Sequence, residues 1–157
     1  MSITLPRWFA HRGGGSLAPE NTLAGIRLAA SLGYQAVEFD VMLSGDGTPV
    51  LIHDETLERT TTGHGLVSET ADSVLFALDA GGGEPVPSFA DAAALCCELG
   101  LLANIEIKPA AGHEIETARR VAEMTGKLWQ NARVQPLISS FSLEALSQFA
   151  SVLGVLV

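Results

Sequence analysis

The hydrophobic positions of this chain form two kinds of segment that alternate along its length. Short, mostly apolar runs predict buried strands, and longer runs with apolar residues three or four positions apart predict amphipathic helices. Strands are expected at residues 8–10, 36–43, 50–52, 101–107, 137–141 and, as the start of another, 154–157. Helices are expected at residues 21–32, 88–99, 114–129 and 142–152, and one short helix is expected near residues 68–78 within the irregular segment 55–83. Ser88 and Ser142 suit helix N-caps, and Gly33 and Gly100 suit helix ends.

The alternation of strands with helices predicts the fold class. Strand–helix–strand units place their strands parallel in one sheet, so we expect an α/β protein. This leaves a doubly wound open sheet and a (β/α) barrel. The glycine-rich stretch at residues 11–15 lacks the G-x-G-x-x-G spacing of a dinucleotide-binding loop, and the next helix begins later, after Pro19. The positions of the polar residues then favour the barrel.

Charged and titratable side chains gather where the predicted strands end. Glu38 and Asp40 lie two positions apart in one strand, so both carboxylates point to the same face of the sheet. In a parallel barrel the active site is built at the carboxyl ends of the strands. We therefore expect one site there, to which the ends of other strands contribute further residues. These residues are His11, Arg12, His53, Glu106 and Lys108.

The residue types at these strand ends indicate cleavage of a phosphodiester. Three carboxylates without a cluster of Cys or His favour a hard divalent cation, Mg²⁺ or Ca²⁺, bound through oxygen. Two histidines suit general acid and general base catalysis near neutral pH. One arginine and one lysine supply positive charge for a phosphate group.

Three consecutive glycines follow the His-Arg pair, at residues 13–15. Glycine loses more backbone freedom on folding than any other residue, so a glycine triplet indicates a backbone that passes close to a ligand. We expect the loop to turn beside the phosphate. A side chain at Gly13 would then fill substrate space or force a conformation that only glycine adopts cheaply, whereas a change at Gly15 would be milder.

The composition limits the partners and the compartment. The 157 residues are 47% hydrophobic and 17% charged, which is typical of one globular domain, and the net charge of −9 argues against a nucleic-acid partner. Adjacent Cys96 and Cys97 exclude a disulfide framework and favour a reducing compartment. The N-terminus does not resemble a signal peptide, and no apolar run reaches about 18 residues. We expect a cytoplasmic protein with no membrane span and a small-molecule substrate.

Six motifs, in this order, resemble the glycerophosphodiester phosphodiesterase family. They are HRG and PENT at residues 11–13 and 19–22, ExD at 38–40, HD-x(2)-L-x-RT at 53–60, EIK at 106–108 and SF at 140–141. The sequence around HRG and EIK is close to that of cytosolic bacterial members. The resemblance covers nearly the whole chain and implies a TIM barrel. Residues 1–157 would hold about its first five or six strands, as a single domain that is incomplete at the C-terminus.

The resemblance also implies an activity and a set of residue roles. The activity is metal-dependent hydrolysis of glycerophosphodiesters, such as glycerophosphocholine or glycerophosphoethanolamine, to sn-glycerol 3-phosphate and an alcohol. The implied roles are a divalent metal site at Glu38, Asp40 and Glu106, an acid–base pair at His11 and His53, and phosphate contacts from Arg12 and Lys108. Either histidine could be the acid. The family usually carries an aromatic-rich insertion after LDAG, whereas here LDAG at 78–81 leads almost directly to Pro85.

Two other interpretations stay open at the level of sequence. A phospholipase-D-like lyase acting on lysophospholipids or sphingomyelin would share the histidines and carboxylates, although such toxins are secreted and disulfide-bonded. A barrel fragment without activity could serve as a binding or assembly module, although such a fragment is expected to lose some of its motifs.

Overall fold

The computed structural model describes residues 5–155, which form four strands and five α-helices. The strands are β1 (Ala36–Leu43), β2 (Pro49–Leu51), β3 (Leu102–Ile107) and β4 (Leu137–Ser139). The helices are α1 (Leu23–Ser31), α2 (Asp72–Leu75), α3 (Phe89–Leu99), α4 (Glu114–Leu128) and α5 (Leu143–Leu153). The protein is therefore of the α/β class, as predicted.

The helix ends follow the capping residues of the sequence. Thr22, Ser88 and Ser142 each accept a hydrogen bond from a backbone N–H in the first turn of the helix that follows. Gly100 ends α3 with φ 66° and Gly154 ends α5 with φ 65°, in the left-handed conformation that glycine adopts most readily. The predictions for these helices are confirmed to within a residue or two.

The four strands form one sheet in the order β2-β1-β3-β4. β1 pairs in parallel with β3, and β3 pairs in parallel with β4. Their register places Asp40 opposite Glu106 and Glu106 opposite Ser139. The carboxyl ends of these three strands therefore meet at one edge of the sheet, as the barrel prediction requires.

The prediction of a wholly parallel sheet is wrong for β2, which pairs antiparallel with β1. Residues 44–48 connect the two strands in a tight turn, closed by a 2.9 Å hydrogen bond from the Ser44 N–H to the Thr48 carbonyl. A parallel connection needs a crossover of about a dozen residues or more, so this short link allows only a hairpin.

Two other predicted elements differ from the structure. Residues 8–10 contribute a single parallel bridge, between Ala10 and Val37, instead of a strand. The short helix expected near residues 68–78 is confirmed as α2, which follows a 3₁₀ turn at Val67–Glu69. Gly154 and Val155 are not in a strand, and the rest of the segment predicted at 154–157 lies outside the described residues. The described chain thus has four strands where five or six were expected.

The core lies between the sheet and the helices. Val37, Phe39 and Val41 of β1 face the helices, and the ring of Phe89 in α3 lies 6.4 Å from that of Phe39 and 5.9 Å from that of Trp129. Side chains alternate between the two faces of a strand. The apolar residues on the helix side therefore leave Glu38 and Asp40 on the opposite face.

Two further predictions concern compartment and membrane. Cys96 and Cys97 are both free, the first buried and the second exposed. Between residues 5 and 155, each helix is either too short or too polar to cross a membrane.

Candidate active site

Three carboxylates meet on the face of the sheet that the helices leave open. Glu38 and Asp40 come from β1 and Glu106 comes from β3, and one oxygen from each lies within 4.8 Å of the others. Glu38 and Asp40 are buried and Glu106 is partly exposed. We call these three residues the carboxylate cluster. The sequence predicted this convergence from the two-residue spacing in β1 and from the shared edge of parallel strands.

The surroundings of Glu38 disfavour the charged form of its carboxylate. Its pKa is raised to about 7, mainly because burial disfavours the charged form and also because Asp40 and Glu106 repel a further negative charge. The backbone N–H of Arg12 donates a 2.9 Å hydrogen bond to its Oε2 and opposes this rise. The site therefore concentrates negative charge that a bound cation would relieve.

Asp40 is held in place by Asn21. The Asn21 side-chain amide donates to Asp40 Oδ2 at 2.9 Å, and its carbonyl oxygen accepts from the Asp40 backbone N–H at 3.1 Å. Asn21 is only 3% exposed and has φ 56°, in the left-handed region. Thr22 is the N-cap of α1, and Asn21, directly before it, orients a carboxylate of the cluster.

His11 and Arg12 approach the cluster from the glycine loop. His11 Nε2 lies 3.8 Å from Glu38 Oε2, and the His11 side chain is 72% exposed. Arg12 has φ 52° and points its guanidinium inward, with Nε 3.5 Å from Asp40 Oδ2 and Nη1 donating to Glu20 Oε1 at 2.9 Å. Arg12 Nε is buried and has no hydrogen-bond partner within the described residues. The carboxylate of Asp40 is thus the charged group that faces this nitrogen.

The glycines pack this loop against α1. Gly13 has φ 85°, and a Cβ added there would lie 3.1 Å from the backbone nitrogen of Ile26 and 3.2 Å from the carbonyl carbon of Gly25. Gly15 has φ 60° but open space around it. Of the two reasons expected for a glycine at position 13, the structure supports the special conformation. Close contact with the α1 backbone adds a reason that the sequence did not reveal.

His53 and Lys108 form a second group of contacting residues in the site. Lys108 Nζ lies 2.6 Å from His53 Nε2, and His53 Nδ1 lies 2.6 Å from Asp54 Oδ1. Lys108 directly follows β3, two positions after Glu106. The seven predicted residues thus divide into the carboxylate cluster, the His11–Arg12 pair beside it, and the His53–Lys108 pair joined to it through β3.

Sequence reasoning assigned no role to several residues that support this site. Arg59 donates hydrogen bonds to both Asp54 and Glu20, and Glu20 also accepts from Arg12. All three of Glu20, Asp54 and Arg59 lie inside the motifs at residues 19–22 and 53–60, so the motifs marked them without indicating their partners.

The SF motif lies beside the same edge of the sheet. Ser140 Oγ donates to the Ile107 carbonyl, which ties the end of β4 to the end of β3. Phe141 is 97% exposed and lines a cavity of about 250 Å³ together with Glu106 and Lys108. This cavity gives a ligand access to Glu106 of the carboxylate cluster.

Comparison with known proteins relates the chain to one protein family. The profile of the glycerophosphoryl diester phosphodiesterase family matches residues 11–155. A glycerophosphodiester phosphodiesterase of Caldanaerobacter subterraneus is 42% identical over 106 residues, which are 63% of this chain and 44% of that protein. Human glycerophosphodiester phosphodiesterase 1 is 34% identical over 134 residues, which are 80% of this chain and 40% of that protein.

Solved structures agree in fold. A phosphodiesterase of Oleispira antarctica, in complex with the product sn-glycerol-3-phosphate, superimposes with a TM-score of 0.85 at 39% identity, over 94% of this chain and 62% of that one. A Thermotoga maritima glycerophosphodiester phosphodiesterase matches with a TM-score of 0.68 at 30% identity, over 88% and 55%. The chain spans less than two thirds of each of these four relatives. From the profile match and the geometry of the site, the chain belongs to the glycerophosphoryl diester phosphodiesterase family.

Proposed function

We propose that this chain is a metal-dependent phosphodiesterase that hydrolyses glycerophosphodiesters, such as glycerophosphocholine or glycerophosphoethanolamine, to sn-glycerol 3-phosphate and an alcohol. The four-stranded sheet and its helices would be part of a (β/α) barrel domain. The observation that carries the proposal is the carboxylate cluster at the carboxyl edge of the parallel strands, where barrel enzymes build their active sites.

The carboxylate cluster fits a hard divalent cation. Mg²⁺ binds oxygen at about 2.0–2.1 Å and Ca²⁺ at about 2.3–2.6 Å, so two ligands of one ion are at most about 4–5 Å apart. The cluster's oxygens lie within 4.8 Å of one another, which suits a single shared ion. The raised pKa of Glu38 also supports a bound cation. Burial and the acidic neighbours disfavour the negative charge of Glu38, and a cation would favour it. Glu38, Asp40 and Glu106 would hold Mg²⁺ or Ca²⁺, and the bound ion would offset negative charge on the phosphate.

The remaining residues supply binding and proton transfer. Arg12, beside the carboxylate cluster, and Lys108, at the end of β3, would each place a positive charge near the phosphate. One histidine of the pair His11 and His53 would accept a proton from the oxygen that attacks phosphorus and forms the new P–O bond. That oxygen would come from water, or from the neighbouring 2-hydroxyl, in which case water would open the resulting cyclic phosphate in a second step. The other histidine would donate a proton to the oxygen of the departing alcohol as the P–O bond breaks.

Further support comes from a relative and from the thiols. The Oleispira antarctica structure contains sn-glycerol-3-phosphate, described there as the product, which supports the same product here. The free thiols of Cys96 and Cys97 support the proposed cytoplasmic location, because disulfides are rare in that compartment.

The decisive assay couples cleavage of glycerophosphocholine to glycerol-3-phosphate dehydrogenase and follows NADH. We expect NADH formation with Mg²⁺ or Ca²⁺ and none with excess chelator. Asp40→Asn should abolish the signal, and Glu98→Gln, at an exposed position of α3, should keep it. A folded protein that forms no sn-glycerol 3-phosphate with either ion would refute the proposal. Turnover of lysophosphatidylcholine alone would favour the lyase.

A further inference from the structure

Arg59 occupies a central position between two loops of the site. Its Nε and Nη2 donate to the two oxygens of Asp54 at 2.5 and 3.0 Å. Its Nη1 and Nη2 donate to the two oxygens of Glu20 at 2.9 and 2.8 Å. A planar guanidinium suits such paired contacts, whereas a lysine ammonium is a single point of charge. One side chain therefore holds two carboxylates from separate parts of the chain in fixed orientations.

Asp54 passes this orientation on to His53. Its Oδ1 lies 2.6 Å from His53 Nδ1, and hydrogen bonds from Arg59, then from His53, hold the Asp54 pKa well below its usual range. An ionised carboxylate can only accept a hydrogen bond, so His53 Nδ1 must carry the proton.

The contact on the other side of the imidazole ring, at Nε2, independently indicates the same tautomer. Lys108 Nζ lies 2.6 Å from His53 Nε2, and an ammonium group can only donate. Nε2 of the neutral ring must therefore be the acceptor. Both neighbours select the Nδ1–H tautomer, which leaves the Nε2 lone pair on the side of Lys108 and β3.

The second carboxylate connects Arg59 to the glycine loop. Glu20 Oε1 accepts from Arg59 and also from Arg12 Nη1 at 2.9 Å. The Arg59 side chain is 47% exposed, and exposed ion pairs contribute little to folding stability. Its many contacts are therefore better explained by the arrangement of the site than by the stability of the fold.

We propose that Arg59 is a positioning residue. By holding Asp54 and Glu20 in place, it fixes His53 as the Nδ1–H tautomer and fixes the position of His53 relative to Arg12. The effect on turnover rests on the function proposed above, whereas the effect on the tautomer does not.

The test compares Arg59→Met with Arg119→Met. Arg119, on α4, also donates three hydrogen bonds to two carboxylates, Glu116 and Glu123, and its side chain is 36% exposed. Long-range ¹H–¹⁵N NMR spectra report the tautomer of each histidine, and the His53→Gln variant identifies the signals of His53 among the four histidines.

We expect His53 of the unaltered chain to be the Nδ1–H tautomer when neutral. Arg59→Met should lower kcat about 10- to 100-fold with little change in KM, on the scale of losses from supporting residues around catalytic groups. The tautomer is compared in the Lys108→Met background, because Lys108 alone also selects Nδ1–H. In that background Arg59→Met should give a mixture of tautomers. Arg59→Lys should recover part of kcat. Arg119→Met should change neither the tautomer nor kcat.

An unchanged His53 tautomer in the double variant Arg59→Met, Lys108→Met would overturn the proposal. If that variant does not fold, Asp54→Asn in the Lys108→Met background gives the same decision, because the neutral amide no longer forces a proton onto Nδ1. Retention of the Nδ1–H tautomer there would overturn the proposal. If the unaltered chain does not cleave glycerophosphocholine, the proposed function fails and the tautomer comparison still decides the role of Arg59.

Discussion

Replacement of Glu38 by glutamine tests the electrostatics of the carboxylate cluster. The folded-state pKa of Glu38, about 7, lies above its ordinary value of 4.5 because of burial and the neighbouring carboxylates. For an acid with a raised pKa, the folded state binds a proton more tightly than the unfolded state does. The resulting destabilisation is nearly absent at about pH 4, develops between about pH 4.5 and 7, and is complete near pH 8.

The expected size follows from the shift. At about 1.4 kcal/mol per pKa unit, the whole shift corresponds to roughly 3 kcal/mol. Relaxation and water near buried charges reduce such penalties, so we expect about 2 kcal/mol. Glu38→Gln keeps an acceptor for the Arg12 N–H and removes the charge. In chelator at about pH 8 this variant should melt roughly 4–8 °C above the unaltered chain, and at about pH 4 it should show almost no gain.

Addition of Mg²⁺ should reverse the order of the melting temperatures at about pH 8, so that the unaltered chain melts above Glu38→Gln. An ion present at about 100 times its Kd stabilises a folded protein by about 2.7 kcal/mol. The unaltered chain should gain this amount at about pH 8, and Glu38→Gln should gain little. Thermal unfolding followed by circular dichroism measures both effects, with Glu98→Gln as the control for net charge. A variant that melts lower than the unaltered chain in chelator, equally at both pH values, would refute the electrostatic reasoning.

Two further predictions concern the glycine loop and the histidines. His11→Ala and His53→Ala should each lower kcat by about 10²–10⁴-fold with unchanged melting temperature, while His64→Ala, whose side chain is 86% exposed, should keep full activity. Near-normal turnover in either of the first two variants would remove that histidine from the mechanism. Gly13→Val should lower stability by about 2–4 kcal/mol along with activity, and Gly15→Ala by about 1 kcal/mol, as measured by urea unfolding. An unchanged unfolding midpoint in Gly13→Val would contradict the contact with α1.

Local signals in the sequence were sufficient for most elements and for the carboxylate cluster. Ser88 and Ser142 begin helices because their hydroxyl groups satisfy free N–H groups of the first turn, which is a property of nearby residues alone. The pairing of Glu38 with Asp40 on one face follows from the two-residue period of a strand. Glu106 joins them because parallel strands end at the same edge.

Other features depend on contacts between distant residues. The direction of β2 could have been inferred from its short link to β1, because that link is too short for a crossover. The single bridge at Ala10 in place of a strand has no such local signal. Arg59 lies 39 positions from Glu20, and the HRG loop meets α1 through Gly13 and Ile26, so their partners could be found only in three dimensions.

The left-handed backbone at Arg12 and Asn21 has a consequence for laboratory evolution and sequence design. This conformation costs an ordinary residue about 1–2 kcal/mol, less for asparagine, and glycine adopts it almost freely. A library screened only for heat resistance should therefore favour glycine at both positions. Each such change would remove a side chain that contacts Asp40. Selection for higher thermal stability should therefore keep Arg12 and Asn21 fixed, or select for turnover in the same round.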